Sequence, residues 1–92
     1  DSKWKPCLID ALRDEPKRPS QLHKEISEAT SRVLDHDIRE LEMHGIVKKR
    51  IFAELPPHSE YSLTDLGKSL LPIIDSMEKW GEEHRSLLED II

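Results

Sequence analysis

Ninety-two residues, 36% of them charged and 36% hydrophobic, suit one domain and leave no length for a second. No apolar run approaches the roughly 20 residues that cross a bilayer, and a lone cysteine, Cys7, excludes an internal disulfide framework or a Cys-rich zinc motif. The net charge of -5 is unevenly spread: residues 1–50 hold 11 Lys and Arg against 10 Asp and Glu, residues 51–92 only 3 against 9, so a basic face can coexist with an acidic tail.

In chain order, Ser2 is the expected cap of a first helix in which Trp4, Cys7, Leu8, Ala11 and Leu12 recur at helical spacing and Pro6 falls in the tolerant first turn. Cys7 reads there as a small core thiol rather than a redox switch, since a switch needs access as well as a lowered pKa. After the basic loop Pro16-Lys17-Arg18-Pro19, Ser20 is the expected cap of a short helix, Gln21 to about Ser27, with Leu22 and Ile26 on its inner side. Glu28, Ala29 and Thr30 form the turn, and a third helix, about 31–44, stops at Gly45 as a left-handed residue. Advancing 100° per residue, Leu34, Ile38 and Leu41 share one side of it, while Arg32, His36, Arg39 and Met43 share the opposite side.

From Ile46 the pattern becomes that of a strand, running to Leu55. After Pro56-Pro57-His58-Ser59 a second strand, Glu60 to Leu63, completes a hairpin over about 46–63. Thr64 then caps a helix expected over about 64–92, with Pro72 as a possible kink. Leu66, Leu70, Ile73, Met77, Trp80, His84, Leu87 and Ile91 follow a heptad seam, and Leu71, Ile74, Leu88 and Ile92 add a second apolar edge. One small domain has too little surface to cover both edges, so the seam is expected to pack on a second copy.

Helix, short helix, helix with a bare polar side, hairpin, long helix: this is the order of a winged helix-turn-helix. The fold expected is therefore mainly α with one β-hairpin, a single winged helix-turn-helix domain over 1–92 with a long C-terminal dimerisation helix. Such a third helix enters the DNA major groove while the hairpin, or wing, follows the backbone. Arg32 and Arg39, with His36 between them, are candidates for phosphate or guanine contact. Lys17, Arg18, Gln21, Lys48, Lys49, Arg50 and His58 are candidates for backbone contact, and strand alternation allows at most two of the three wing cations to face one duplex. Asp35 is expected to pair with Arg32 or Arg39 on its own helix.

The sequence also resembles the HxlR-type winged-helix transcription regulators, relatives of the MarR group. The likeness is carried by Lys3-Trp4-Lys5-Pro6, Pro16-Lys17-Arg18, Arg32-Val33-Leu34 with Arg39-Glu40-Leu41-Glu42 and Gly45, Pro56-Pro57 with Glu60-Tyr61-Ser62-Leu63-Thr64, and Gly67-Lys68-Ser69-Leu70 with Trp80-Gly81-Glu82-Glu83-His84. The resemblance implies a homodimeric, sequence-specific regulator on double-stranded, roughly palindromic DNA. It implies that Ser31, Arg32, His36 and Arg39 face bases or phosphates, and that the first and last helices, with Trp4, Leu70, Ile73, Met77, Trp80, His84, Leu87 and Ile91, form the dimer. Asp35, His36 and Asp37 depart from the Thr, Gln or basic residues usual there, as does His58 from a usual wing Arg or Lys. The reactive cysteine of some relatives would lie upstream of Lys3, in a longer parent that a chain beginning at Asp1 rather than methionine leads one to expect.

Other chemistry finds little support. Gly45, Gly67 and Gly81 are too dispersed to cradle a phosphate, and neither GxSxG nor HExxH occurs. No enzyme activity, cofactor or membrane partner is expected, and the setting is expected to be cytoplasmic. Asp35-His36-Asp37, with Glu40 and His44, invites a metal, but adjacent side chains diverge by about 100° and should not converge on one ion, so none is expected. The alternative to DNA binding is a winged-helix module that contacts protein through the same faces, as the acids of the third helix suggest. DNA binding through several phosphates would fall steeply with salt, whereas protein contact would not.

Overall fold

Leu8, Leu22, Leu34 and Val47 are each no more than 2% exposed and come from four different segments. Burying such side chains contributes about 1.5–3 kcal/mol apiece, and their meeting point fixes how those segments pack. The computed structural model describes residues 3–91, with the side chains of Leu88, Asp90 and Ile91 outside the described set. Its elements are α1 (Lys5–Ala11), α2 (Pro19–Glu25), α3 (Ser31–Met43), β1 (Val47–Phe52), β2 (His58–Leu63), α4 (Asp65–Ser69), α5 (Leu71–Glu83) and α6 (Arg85–Ile91). The architecture is mainly α with one antiparallel hairpin, as the residue pattern implies.

Local chemistry shifts several boundaries. Ser2 lies outside the described residues, and Trp4 occupies the N-cap of α1, with Pro6 in the first turn. The inner face of α1 is Leu8, Ile9 and Leu12, rotated from the expected stripe. Cys7 is therefore exposed, contrary to its reading as a core thiol. Arg18, not Ser20, is the N-cap of α2, because Pro19 brings a fixed φ suited to the first helical position and an N–H the helix does not need. The Gln21 Oε1 accepts the Arg18 backbone N–H at 2.8 Å. The α2 helix ends at Glu25 rather than Ser27.

At the start of α3, Thr30 Oγ1 accepts the Val33 N–H at 3.2 Å. At its end, Gly45 takes φ +74. The Ile46 N–H reaches the Leu41 carbonyl at 2.9 Å and the Gly45 N–H reaches Glu42 at 3.0 Å, the pairing of a Schellman cap. The hairpin pairs Val47 with Leu63 through to Phe52 with His58, so β1 is shorter and β2 longer than their composition suggests. A third segment joins it. Lys17 and Tyr61 exchange backbone hydrogen bonds of 2.9 and 2.8 Å, fastening the loop before α2 to the wing.

The tail expected as one helix over 64–92 is helical but broken twice, at Leu70 and His84. Pro72 explains the first break, since its ring and missing N–H cannot continue the bond to Lys68. At the second, the backbone N–H and the ring Nδ1–H of His84 both donate to the Trp80 carbonyl, at 3.0 and 2.8 Å. The His84 ring stacks on Trp80 with centroids 4.2 Å apart. Ile74 packs into the core, and Arg13 bridges Asp10 at 2.8 Å and Asp75 of α5 at 2.5 Å. Water screens such half-exposed pairs, so apolar packing does most of the fastening. The molecule measures 51 × 27 × 21 Å with a radius of gyration of 14.7 Å, above the roughly 12 Å of an equally long compact chain.

Thr64 locks α4 to the end of α3. Its hydroxyl donates to the Gly45 carbonyl at 2.6 Å and accepts the Gly67 N–H at 3.1 Å. Gly67 is buried, and a Cβ there would collide with the Ile46 carbonyl oxygen, which itself accepts the Thr64 N–H at 3.1 Å. Gly67→Ala must push α4 off this joint. It should destabilise the fold by about 1–3 kcal/mol, the usual cost of overpacking a closed site, read as a lower urea midpoint at unchanged slope.

Candidate nucleic-acid interface

The outer side of α3 is built by subtraction. Leu34, Ile38 and Leu41 occupy its inner stripe, so Ser31, Arg32, His36, Arg39 and Met43 remain exposed. Among the described residues Arg32 has no ion pair, and Arg39 makes one hydrogen bond within the helix, from Nε to the Asp35 carbonyl at 3.2 Å. Both guanidinium groups keep N–H donors for an external acceptor. The Asp35 carboxylate does not pair with either arginine, as helical spacing suggested. It accepts from His23 Nε2 at 2.8 Å, because the side of α3 that carries Asp35 faces α2. His23, in the last turn of α2, had no distinguishing signal in the sequence.

The second acid of α3, Asp37, is 3% exposed and so contributes little to the outer face. His36 Nδ1 stands 3.3 Å from Asp37 Oδ1 and 3.8 Å from Glu40 Oε1. Adjacent His and Asp side chains do converge here, despite the divergence of their Cβ directions, because both lean toward Glu40 one turn on. Lys5, at the start of α1, places Nζ 2.7 Å from Glu40 Oε1. Its hydrogen bond holds the Glu40 carboxyl below the usual carboxylate range, with a smaller contribution from His36.

The remaining candidates divide. Arg18 and Gln21 are exposed at the entry to α2, although the Gln21 carbonyl oxygen serves the helix start. Lys17 is turned inward: its side chain is 14% exposed and its Nζ lies 2.6 and 2.8 Å from the two Glu25 oxygens, so it is not presented with the outer face of α3. On the wing, Lys49 shares a face with Val47 and Tyr61. That face borders α3, where Pro19, Asp35, Arg39, Lys49, Ser59 and Tyr61 line an open groove of 250 Å³. Lys48 and Arg50 point to the other face, with Arg50 over the Phe52 ring at 4.7 Å. His58 stacks on Phe52 at 4.6 Å and approaches Glu54 at 3.8 Å. It is half-buried and less available than the wing cations.

A separate apolar strip runs along the tail. Leu66, Ile73, Met77, Trp80 and Leu87 are each 48–56% exposed, and Pro72, Ile73, Ser76, Met77 and Trp80 line an open depression on it. His84 is half-buried beside Trp80, while Trp4 and Leu70 pack partly against the protomer's own core. The Ile91 side chain lies outside the described residues.

The family described as HxlR-like helix-turn-helix matches residues 1–89. An HTH-type transcriptional regulator of Methanothermobacter thermautotrophicus is 38% identical over 88 residues, which are 96% of this chain and 67% of that protein. The HTH-type transcriptional regulator YybR of Bacillus subtilis is 40% identical over 87 residues, 95% of this chain and 70% of that one. Among solved structures, the redox regulator HypR in its reduced form superposes with a TM-score of 0.87 at 39% identity, covering 98% of this chain and 89% of that one. A MarR-family transcriptional regulator from Porphyromonas gingivalis W83 gives 0.82 at 35%, covering 89% and 80%.

Cys7 opens onto a groove shared with Asp10, Glu25, Glu28 and Glu78. Partial burial pushes its thiol pKa up, and the negative charges of Asp10, Glu78 and Glu28 push it further. Since the thiolate is the nucleophile, a raised pKa leaves less of it at any pH below that pKa. Cys7 should react with iodoacetamide more slowly than free cysteine at pH 7.5. Glu78→Gln, by removing one charge, should speed it, and rate-against-pH curves should show the midpoint moving down.

Proposed function

Because the chain belongs to the HxlR-like helix-turn-helix family, whose relatives are transcriptional regulators rather than enzymes, we propose that it binds a roughly palindromic DNA operator as a homodimer. In this reading α3 of each protomer enters a major groove and the wing tracks the adjacent backbone. The observation that carries it is the outer stripe of α3, where Arg32, His36 and Arg39 are exposed together while, of the four acids of the helix, Asp37 is buried, Asp35 and Glu40 are engaged by His23 and Lys5, and Glu42 is exposed. Two such helices related by a two-fold axis reach successive grooves when their half-sites are centred about 34 Å apart.

Lys49 and Arg18 fit phosphate contacts that add affinity without reading sequence. Lys48 and Arg50 fit contacts on the far side of the wing. The tail supplies the pairing surface: Ile73, Met77, Trp80 and Leu87 form one apolar edge, and covering it with its copy removes several large side chains from water at once. No helix among the described residues is long and apolar enough to cross a membrane, and a DNA-binding regulator of this kind would work in the cytoplasm. The alternative is a protein-binding module without DNA affinity, which the acids of α3 suggest; of these, Asp37 is buried and Asp35 and Glu40 are paired, while Glu42 is exposed.

Arg32→Ala and Arg39→Ala should each weaken binding to a selected operator by about 1–3 kcal/mol, or roughly 5- to 150-fold, in mobility-shift titrations, with unchanged circular dichroism. Wild-type affinity in both variants would remove α3 from the contact. The affinity of the intact protein should fall steeply as salt rises, and loss of one phosphate contact, as in Lys49→Ala, should reduce that slope by about one. Separately, Met77→Glu places a charge in the middle of the apolar edge. Light scattering should find wild type at twice the chain mass and this variant at the chain mass.

A further inference from the structure

The edge of α3 that meets the start of α1 carries three metal-ligating side chains whose donor atoms come together. One donor each from His36, Asp37 and Glu40 lies within 4.8 Å of the other two. The His36 Nδ1 separations are 3.3 Å to Asp37 and 3.8 Å to Glu40. An ion bound tetrahedrally at about 2.0–2.2 Å needs its ligands roughly 3.3–3.6 Å from one another, so His36 and Asp37 already stand at ligand spacing and the Glu40 carboxylate must draw in to close the triangle. Asp37 is held by burial, whereas Glu40 is 38% exposed and is held by Lys5, so it can adjust once that bond is released.

The triangle opens on a groove of 450 Å³ lined also by Lys3, Trp4, Lys5 and Val33, with room for water to complete a shell. A positive charge already sits at its edge, the Lys5 ammonium 2.7 Å from Glu40.

We propose that His36, Asp37 and Glu40 form a site for a divalent transition-metal ion of the zinc class, which displaces Lys5 from Glu40. One imidazole with two carboxylates is a donor set that zinc accepts and that calcium and magnesium, which take oxygen ligands, match less well. With Nδ1 on the ion, the other ring nitrogen of His36 keeps its proton as a donor. The outer edge of α3 also gains positive charge, a consequence for operator affinity that rests on the DNA-binding reading, whereas the site itself does not.

The test is calorimetric titration of the chelator-treated full chain with Zn²⁺, and Co²⁺ titration followed by visible absorption, both without DNA. The expected result is one ion per chain. His36→Ala and Glu40→Gln should each lower affinity by about tenfold or more, with unchanged circular dichroism. Lys5→Met should raise it, because a competing cation has gone; a Lys5 that merely held the fold would not give that sign. No binding to wild type, or binding at wild-type strength in both His36→Ala and Glu40→Gln, overturns the site. Weaker binding in Lys5→Met overturns the displacement.

Discussion

Leu34, Ile38 and Leu41 bury one stripe of α3 against the core, and in doing so they set the rotation of that helix about its own axis. A helix can present only the side its packing leaves bare. Turned by one residue, α3 would offer Asp35 or Asp37 outward and bring an arginine toward the core, a costly burial for an unpaired charge. With the observed rotation, Asp35 meets His23 of α2, Glu40 meets Lys5 of α1, and Arg32 and Arg39 are left outside. The same apolar contacts therefore determine both the stability of the helix and the charge it shows.

This arrangement reconciles an acidic chain with a basic working face. The total of -5 describes no local surface. On α3, Asp37 is hidden and Asp35 and Glu40 are engaged, which leaves Glu42 as its exposed acid; Lys17 is taken up by Glu25, and exposed cations stand on α3, at the α2 entry and on the wing. Much of the remaining negative charge lies on α5 and α6, with Asp75, Glu78, Glu82, Glu83, Glu89 and Asp90. In the proposed complex that charge is carried by the part of the molecule that meets its own copy rather than phosphate.

What the sequence made legible was whatever repeats locally. The stripe of α3 and the Gly45 stop are patterns within a dozen residues and match the structure closely, the hairpin is present with shifted strand ends, and the tail is helical but broken at Leu70 and His84. What it hid was contact between distant segments. The Lys17 and Tyr61 backbone bridge joins a loop to a strand 44 positions away, and neither residue type announces it. Asp35 chose His23 over two arginines on its own helix because α2 lies beside it, a fact of packing and not of spacing. In α1 the apolar residues are compatible with two faces, and burial of Ile9 instead of Cys7 decided between them. The same blindness applied to His36 and Asp37: ideal Cβ directions separate them, while real side chains lean.

The tail and α3 are not independent parts. The Thr64 hydroxyl joins the Gly45 carbonyl to the Gly67 N–H, and the Ile46 carbonyl accepts the Thr64 N–H, so Gly45 and Ile46, just beyond α3, share one set of hydrogen bonds with the start of α4. Gly67 allows the backbone to close that joint without a gap. Arg13 and Ile74 then tie α5 back to α1 and the core. A change in how the two tails of a homodimer pack could reach the arginines through this joint or through the α1–α5 contact. In a homodimer, the separation of two α3 helices would then follow from tail packing, and a shift of tail against tail would alter the match to the DNA pitch with no change in α3 itself.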